Sequence, residues 1–461
     1  MKQPVRNELK RDLGPWAAAS IVVGTVIGSG IFLVPHDMVA RVGSAGMVFA
    51  VFVFGGLLSL AGALSYAELA AAMPEAGAEY AYLREAYGPL WSFLYCWAQT
   101  WVGKGGSIAT LATGFFYYLT TFFPGLDTVF YSLPVPLGPH GGPFQFRYGQ
   151  LLAIGLILSL SWLNYYGVKL GGGVQVAVTA VKLGLIGFVI AIGLGFGHAH
   201  APAAALASGP VTAAGFFAAL VAALWAYDGW NNVAMVASEV RDPQRNLPRA
   251  IVGGTVAVIV IYLLVNAAYF RVLTAAEVAA SPRVAGEMMR RILDGPGAQV
   301  VAIAAMISIF AALNGSILTG SRVPYAAARD GYFFRAVARV HSQYRTPGVS
   351  VLMLGAWSAL LVAITGGFRE LFTYVMFASW IIYGMTAAAV IILRKKRPDL
   401  PRPYRTFGYP VVPTLFVVVA FLLVVYTFHD SPRESIMGIG MIVLGLPFYY
   451  YWKNHNAHST Q

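Results

Sequence analysis

Gly24-Thr25-Val26-Ile27-Gly28-Ser29-Gly30 sits in the middle of an apolar segment running from about residue 15 to 40. A second segment, 212 to 238, carries Tyr227-Asp228-Gly229-Trp230-Asn231-Asn232 near its own middle. Glycine is costly inside a helix, and an aspartate at membrane depth is costly anywhere. Both stretches are therefore read as interruptions of membrane helices. Non-helical backbone at that depth survives only where protein or a water-filled cavity satisfies its polar groups, so the two breaks predict a cavity. Close helix packing through Gly24 and Gly28 is the alternative reading of the first stretch, but it leaves Asp228 unexplained.

The composition supports a membrane setting. Of 461 residues, 58% are hydrophobic and 11% charged, with mean hydropathy +0.67, whereas soluble domains carry about a quarter charged residues. The net charge of +12 does not indicate a nucleic-acid partner, because so few charges cannot make a soluble basic surface. A spanning helix needs about 20 apolar residues, and twelve segments qualify: 15–40, 46–72, 90–122, 148–166, 174–197, 212–238, 249–272, 297–325, 348–366, 370–393, 409–428 and 435–452. With both termini cytoplasmic, most Lys and Arg fall on the inner side, above all Arg394 to Arg405 and Arg322 to Arg345, as the positive-inside rule requires. Arg271 to Asp294 is an outer exception, expected to form a surface helix. This places the chain in a cytoplasmic (inner or plasma) membrane as a multi-pass protein in contact with the lipid bilayer. The first segment is too long for a signal-peptide core and is expected to be retained.

Several chemistries are absent. Cys96 is the sole cysteine, so there is no internal disulfide and no cysteine metal cluster. No Walker, nucleophile-elbow or zinc pattern is found, and His198 and His200 read as loop residues. No enzyme activity, cofactor or metal is expected.

The predicted fold class is an all-α polytopic membrane protein of twelve helices, organised as five plus five plus two. Residues 1–13 form an N-terminal tail, 14–197 the first repeat, 212–393 the second, 409–452 the last two helices and 453–461 a C-terminal tail. Segments 1 and 6 then correspond in halves of opposite topology, and matched interruptions of that kind mark a secondary transporter's binding site. The helix restarting after Gly30 presents free N–H groups suited to a carboxylate. Carbonyls freed at the first break and around Tyr227 to Gly229 suit an ammonium. Together they would grip the zwitterion common to every α-amino acid.

Asp228 needs a cation. Lys104 is expected at a similar depth, as a direct pair with Asp228 or as part of a structural buried pair, and a cationic substrate side chain would compete for the same carboxylate. Lys182, about 12 Å above the start of its segment, is expected level with Ser316 and Thr319 and bridging to them and to the first break. Snorkelling to the surface is the other reading of Lys182. A fixed ammonium there would stand where sodium-driven transporters of this architecture hold sodium. Trp225, Tyr227 and Trp230 crowd the second break, and Trp225 is the gate candidate.

These residues carry a family likeness. Gly28-Ser29-Gly30-Ile31-Phe32, Ser65-Tyr66-Ala67-Glu68-Leu69 with Gly77-Ala78-Glu79-Tyr80, Trp225 to Asn231 with Glu239 and Arg245-Asn246-Leu247-Pro248, and Asn314-Gly315-Ser316 through Arg322 with Arg329-Asp330-Gly331 resemble blocks of the L-type amino acid transporters of the amino acid, polyamine and organocation superfamily. The resemblance covers nearly the whole chain. It implies a LeuT-type inverted repeat, sodium-independent transport and exchange of one amino acid for another. It also implies that Ile27, Gly28, Ser29, Gly30 and Ile31 bind the substrate carboxylate, and that the carbonyls of Trp225, Ala226, Tyr227, Asp228 and Gly229 bind its amino group. Lys182 matches the family's fifth-helix lysine, and an aspartate at 228 resembles the branch that also accepts dibasic amino acids and cystine. Eukaryotic members join a heavy chain through a cysteine after the third helix. Phe123 to Phe146 has none, so no disulfide-linked heavy chain is expected. The expectation is an alternating-access transporter of neutral and cationic L-amino acids, with exchange or proton symport as its coupling, and a non-transporting receptor as the reading from a different class.

Overall fold

The computed structural model describes residues 9–134, 144–196, 212–293, 297–365 and 368–458. His198, His200 and the boundary assigned near 197 lie outside them. Helix dominates, as the run of apolar segments requires. In chain order the helices are α1 (Pro15–Val26), α2 (Gly30–Val42), α3 (Ala45–Ala72), α4 (Glu79–Tyr87), α5 (Pro89–Ala98), α6 (Gly105–Leu119), α7 (Tyr148–Tyr165), α8 (Val168–Phe196), α9 (Ala213–Tyr227) and α10 (Asn232–Met235). They continue as α11 (Pro243–Val272), α12 (Ala275–Ala280), α13 (Val284–Leu293), α14 (Gly297–Gly320), α15 (Arg322–Arg329), α16 (Gly348–Thr365), α17 (Phe368–Lys396), α18 (Val411–Asp430), α19 (Pro432–Val443) and α20 (Gly445–His458).

Among the described residues, seven helical stretches are long and apolar enough to cross a membrane: Pro15–Val42, Ala45–Ala72, Val168–Phe196, Pro243–Val272, Gly297–Arg329, Val411–Asp430 and Ser435–His455. The segment 90–122 is helical but not uniform, because a π-helical turn at Gln99–Lys104 joins α5 to α6. The surface helix expected between Arg271 and Asp294 is two short helices, α12 and α13. The connection after α6 holds an element the apolar pattern did not reveal, an antiparallel hairpin of β1 (Val129–Leu133) and β2 (Phe144–Arg147) with a bulge between Val129 and Tyr131.

The core is where apolar helices meet on more than one face. α1, α3, α9, α11 and α14 are its heart: α11 packs along α3 and α1, α14 along α6 and α8, and α2 crosses α9. The last crossing depends on Gly30, since a Cβ there would lie 2.7 Å from the Ala226 Cα. Outer helices keep lipid-type exposure instead, as on α18, where Val411, Leu415, Val418, Phe421 and Val425 all face outward.

At the end where the chain enters α1, several segments close over the bundle. Leu13 pairs with Val240 in a parallel bridge, and its N–H donates to the Glu239 carbonyl at 3.0 Å. Gly77 N–H donates to Met235 O at 2.9 Å. Arg322 and Glu239, both fully buried, form a two-pronged ion pair at 2.7 and 3.0 Å. The positive-inside pattern puts Arg322 at the head of an inner-side basic cluster. It instead turns inward, because its guanidinium finds a carboxylate, the Leu318 carbonyl and the Ser321 hydroxyl there, the complete partnering a buried charge requires.

Candidate functional site

Both expected interruptions are present. α1 stops at Val26, Ile27 leaves helical geometry (φ −76°, ψ 86°), and helix resumes at Gly30. α9 stops at Tyr227, Asp228 is extended (φ −64°, ψ 142°) and Gly229 adopts φ 114°. That left-handed value is open to glycine and strained for other residues, and a Cβ would also meet the Thr25 Oγ1 at 3.1 Å. Thr25 ties the two breaks together, with Oγ1 lying 3.0 Å from the Gly229 carbonyl. Tyr262 of α11 does the same, its hydroxyl lying 3.0 Å from Val26 O and 2.7 Å from Ala226 O.

Between the breaks lies a small cavity of about 30 Å³ lined by Thr25, Val26, Gly28, Ser29, Gly30, Ser107, Leu111, Trp225, Asp228, Gly229, Asn232 and Ser316. Its wall at Gly28 to Gly30 is the start of α2, whose leading N–H groups carry partial positive charge. The Ser29 Oγ is buried there with no protein partner, a polar group facing a site able to accept one. Across the cavity stand Trp225, Asp228 and Gly229. Of the three aromatics at the second break, Trp225 alone lines the space. Tyr227 turns away and donates to Phe52 O at 3.1 Å, while Trp230 packs edge-on against Tyr66 at 4.8 Å. Sequence spacing could not separate these roles, because all three aromatics lie within six residues.

Lys182 is fully buried and donates to Gly24 O at 2.8 Å, Ile27 O at 2.6 Å and Ser308 O at 3.4 Å. Ser308 Oγ adds a bond to Ile27 O at 2.8 Å. This corrects two expectations. Lys182 does not bond Ser316 or Thr319: Ser316 lines the cavity, and Thr319 Oγ1 donates to Gly315 O within its own helix. The reason is that α8 starts at Val168 rather than near 174, which lifts Lys182 to the helix midpoint, about 21 Å from its start. It faces Ser308, two turns further from the α15 end of α14 than Ser316. The second correction concerns the first-break carbonyls expected to meet a substrate ammonium. Lys182 and Ser308 occupy those of Gly24 and Ile27, and Tyr262 is shared between Val26 O and Ala226 O. On the second break Trp225 O accepts from the Asp228 N–H and Gly229 O from Thr25 and the Asn232 N–H, which leaves the carbonyls of Tyr227 and Asp228 for a ligand.

Lys104 and Asp228 are not in direct contact. Lys104 Nζ donates to the Asn232 side-chain carbonyl, and Asp228 accepts from the Tyr383 hydroxyl at 2.6 Å. Asn232 and Asp228 line the same cavity, so the Lys104 ammonium ends on a residue that shares a wall with Asp228. Two further polar residues, Glu79 and Glu68, carry no signal in the sequence beyond their place in the family-like blocks. Glu79 is fully buried and accepts from Tyr95 at 2.9 Å and from Asn231. Glu68 accepts from Arg394 at 2.9 and 2.7 Å and from Thr406 N–H at 2.7 Å, fixing α3 to the connection after α17. Their partners lie far away in sequence, which is why spacing gave no sign of them.

The chain matches the sequence profile described as amino acid permease over residues 13–450. The chain belongs to the amino acid permease family. The likeness to L-type amino acid transporters extends to individual relatives of this permease. The human b(0,+)-type amino acid transporter 1 is 32% identical over 471 residues, covering 100% of this chain and 91% of the relative. The rabbit (Oryctolagus cuniculus) large neutral amino acids transporter small subunit 2 is 33% identical, covering 97% of this chain and 82% of the relative. Cys96, the one cysteine of the sequence, is buried between Thr100 and the Val323 carbonyl.

Proposed function

We propose that this permease is a sodium-independent secondary transporter that exchanges L-amino acids, neutral and cationic, across a cytoplasmic membrane by alternating access. The observation that carries the reading is the pair of facing breaks around one small cavity, with the start of α2 on one wall and the second-break backbone with Asp228 on the other. The start of α2 from Gly28 to Ile31 takes the carboxylate. The Trp225 to Gly229 backbone takes the amino group, and Trp225 closes over the bound substrate. Lys182 holds the first break to α14 by direct charge-assisted bonds, a place where a mobile sodium ion would otherwise be needed. The architecture in this reading is twelve membrane helices in the LeuT-type arrangement: repeats over 14–197 and 212–393, two further helices over 409–452, and both termini cytoplasmic. The absence of a cysteine between Phe123 and Phe146, with Cys96 buried, supports a transporter without a disulfide-linked heavy chain.

Proteoliposomes loaded with radiolabelled leucine test this. The expected result is label efflux that requires unlabelled amino acid outside and is the same in sodium and choline buffers. Uptake into empty vesicles driven by a pH gradient would replace exchange with proton symport. Ligand binding without any flux would mean a receptor.

A further inference from the structure

We propose that Lys104 sets the substrate charge that the cavity accepts, by serving as the fixed counter-cation of Asp228. The proposal rests on the amino acid transport reading above and adds the residue that balances neutral against dibasic substrates. Lys104 ends the π-helical turn between α5 and α6, and such turns concentrate at functional positions. Its stem passes Gly320 of α14, where a Cβ would lie 3.0 Å from the Lys104 Cγ; glycine leaves the room the lysine needs. The ammonium ends on the side chain of Asn232, which opens α10 and lines the cavity.

The surrounding charges give the arrangement its meaning. Asp228 stands on the cavity wall, tied to Tyr383, with no basic group of the described residues within ion-pair distance. Glu79 accepts from Asn231, the neighbour of Asn232. Lys104 ends on Asn232, which shares the cavity wall with Asp228 and adjoins the Asn231 that holds Glu79, so both carboxylates belong to its surroundings. Lys182 is spent on backbone carbonyls of the first break. One cation therefore serves two buried acids, and it serves Asp228 at a distance.

A zwitterionic substrate adds no net charge to this set. A dibasic substrate places a second cation beside Asp228, gaining its attraction and meeting Lys104's repulsion, since like and unlike charges at low effective dielectric act over several ångströms. Removing the Lys104 charge leaves Asp228 without its counter-ion and favours the dibasic substrate. Lys104 is thus a positioning residue that acts through Asp228.

The test compares initial exchange of arginine and leucine in proteoliposomes, with thermal shifts of the purified variants by each amino acid as a readout that needs no turnover. Lys104→Gln is expected to raise the arginine-to-leucine ratio at least tenfold in rate and in binding. Lys104→Arg should keep the wild-type ratio, and the double variant Lys104→Gln with Asp228→Asn should lose the gain in arginine. A Lys104→Gln protein that binds both amino acids in the wild-type ratio, or that is monodisperse yet binds neither, overturns the proposal. Absence of leucine exchange in the wild type would instead sink the transport reading.

Discussion

The Lys182 ammonium lies 2.6 Å from the Ile27 carbonyl and 2.8 Å from that of Gly24, so a side chain at the midpoint of α8 supplies the donors that the end of α1 lacks. A helix end leaves carbonyls without partners, and in a membrane interior each such group is costly. Three donors on one lysine meet three backbone oxygens, the third being Ser308 O. The break is therefore stabilised from outside its own helix and can shift only together with α8 and α14.

Lys182→Ala should slow sodium-free exchange at least tenfold and lower stability by about 1 to 3 kcal/mol, the cost of leaving buried acceptors unsatisfied. Initial rates in proteoliposomes and thermal unfolding in detergent check both. Exchange at the wild-type rate would remove Lys182 from the transport cycle.

Backbone geometry at the breaks gives a second expectation. Gly229→Ala forces a side chain onto φ 114°, and Gly30→Ala drives a methyl group against the Ala226 backbone. Each should abolish measurable exchange while the protein still inserts and purifies, whereas Gly173→Ala, where a Cβ meets nothing within 4 Å, should be neutral. Size-exclusion profiles alongside flux separate a lost site from a lost fold.

The closure at the α1 entry end predicts a different pattern. Breaking the buried Arg322–Glu239 pair by Glu239→Gln leaves a guanidinium without its counter-charge, which costs roughly 3 to 5 kcal/mol. Thermal unfolding should register that loss. If this closure also opens during transport, the weakened variant should shift toward accessibility from that end, read by cysteine labelling at Val240→Cys. Unchanged stability and labelling would contradict the role given to the pair.

A pH effect is expected on the short helix α12. Arg291 at 2.6 Å and the Thr274 N–H at 2.7 Å hold the Glu277 carboxyl down to about 2. A folded-state value below the unfolded one of 4.5 gives stabilisation that is complete above 4.5 and lost as pH falls toward 2. Wild type should therefore be the more stable protein at neutral pH and Glu277→Gln should match it in acid. The gap is small because the pair is partly exposed. Melting curves across that range that stay parallel would show the contact to be idle.

How much was legible beforehand depended on the range of the signal. The two interruptions were visible because glycine and aspartate in an apolar run are local contradictions, and the cavity followed from the rule that broken backbone needs partners. Depth was less legible: an error of six residues at the start of α8 moved Lys182 by more than a turn and gave it the wrong serine. Pairings across the chain, such as Glu79 with Asn231 or Arg322 with Glu239, left no local trace at all.

The amino-acid sequence by itself determined that this chain is an apolar, helical permease whose first and sixth apolar segments break, because composition and glycine placement act within a turn or two. Only the tertiary structure decided which carbonyls remain for a ligand, which aromatic faces the cavity, and that Lys104 reaches Asn232 rather than Asp228. Those outcomes turn on differences of a few ångströms between helices distant in the chain, and hydrogen-bond and Coulomb energies change steeply over such distances.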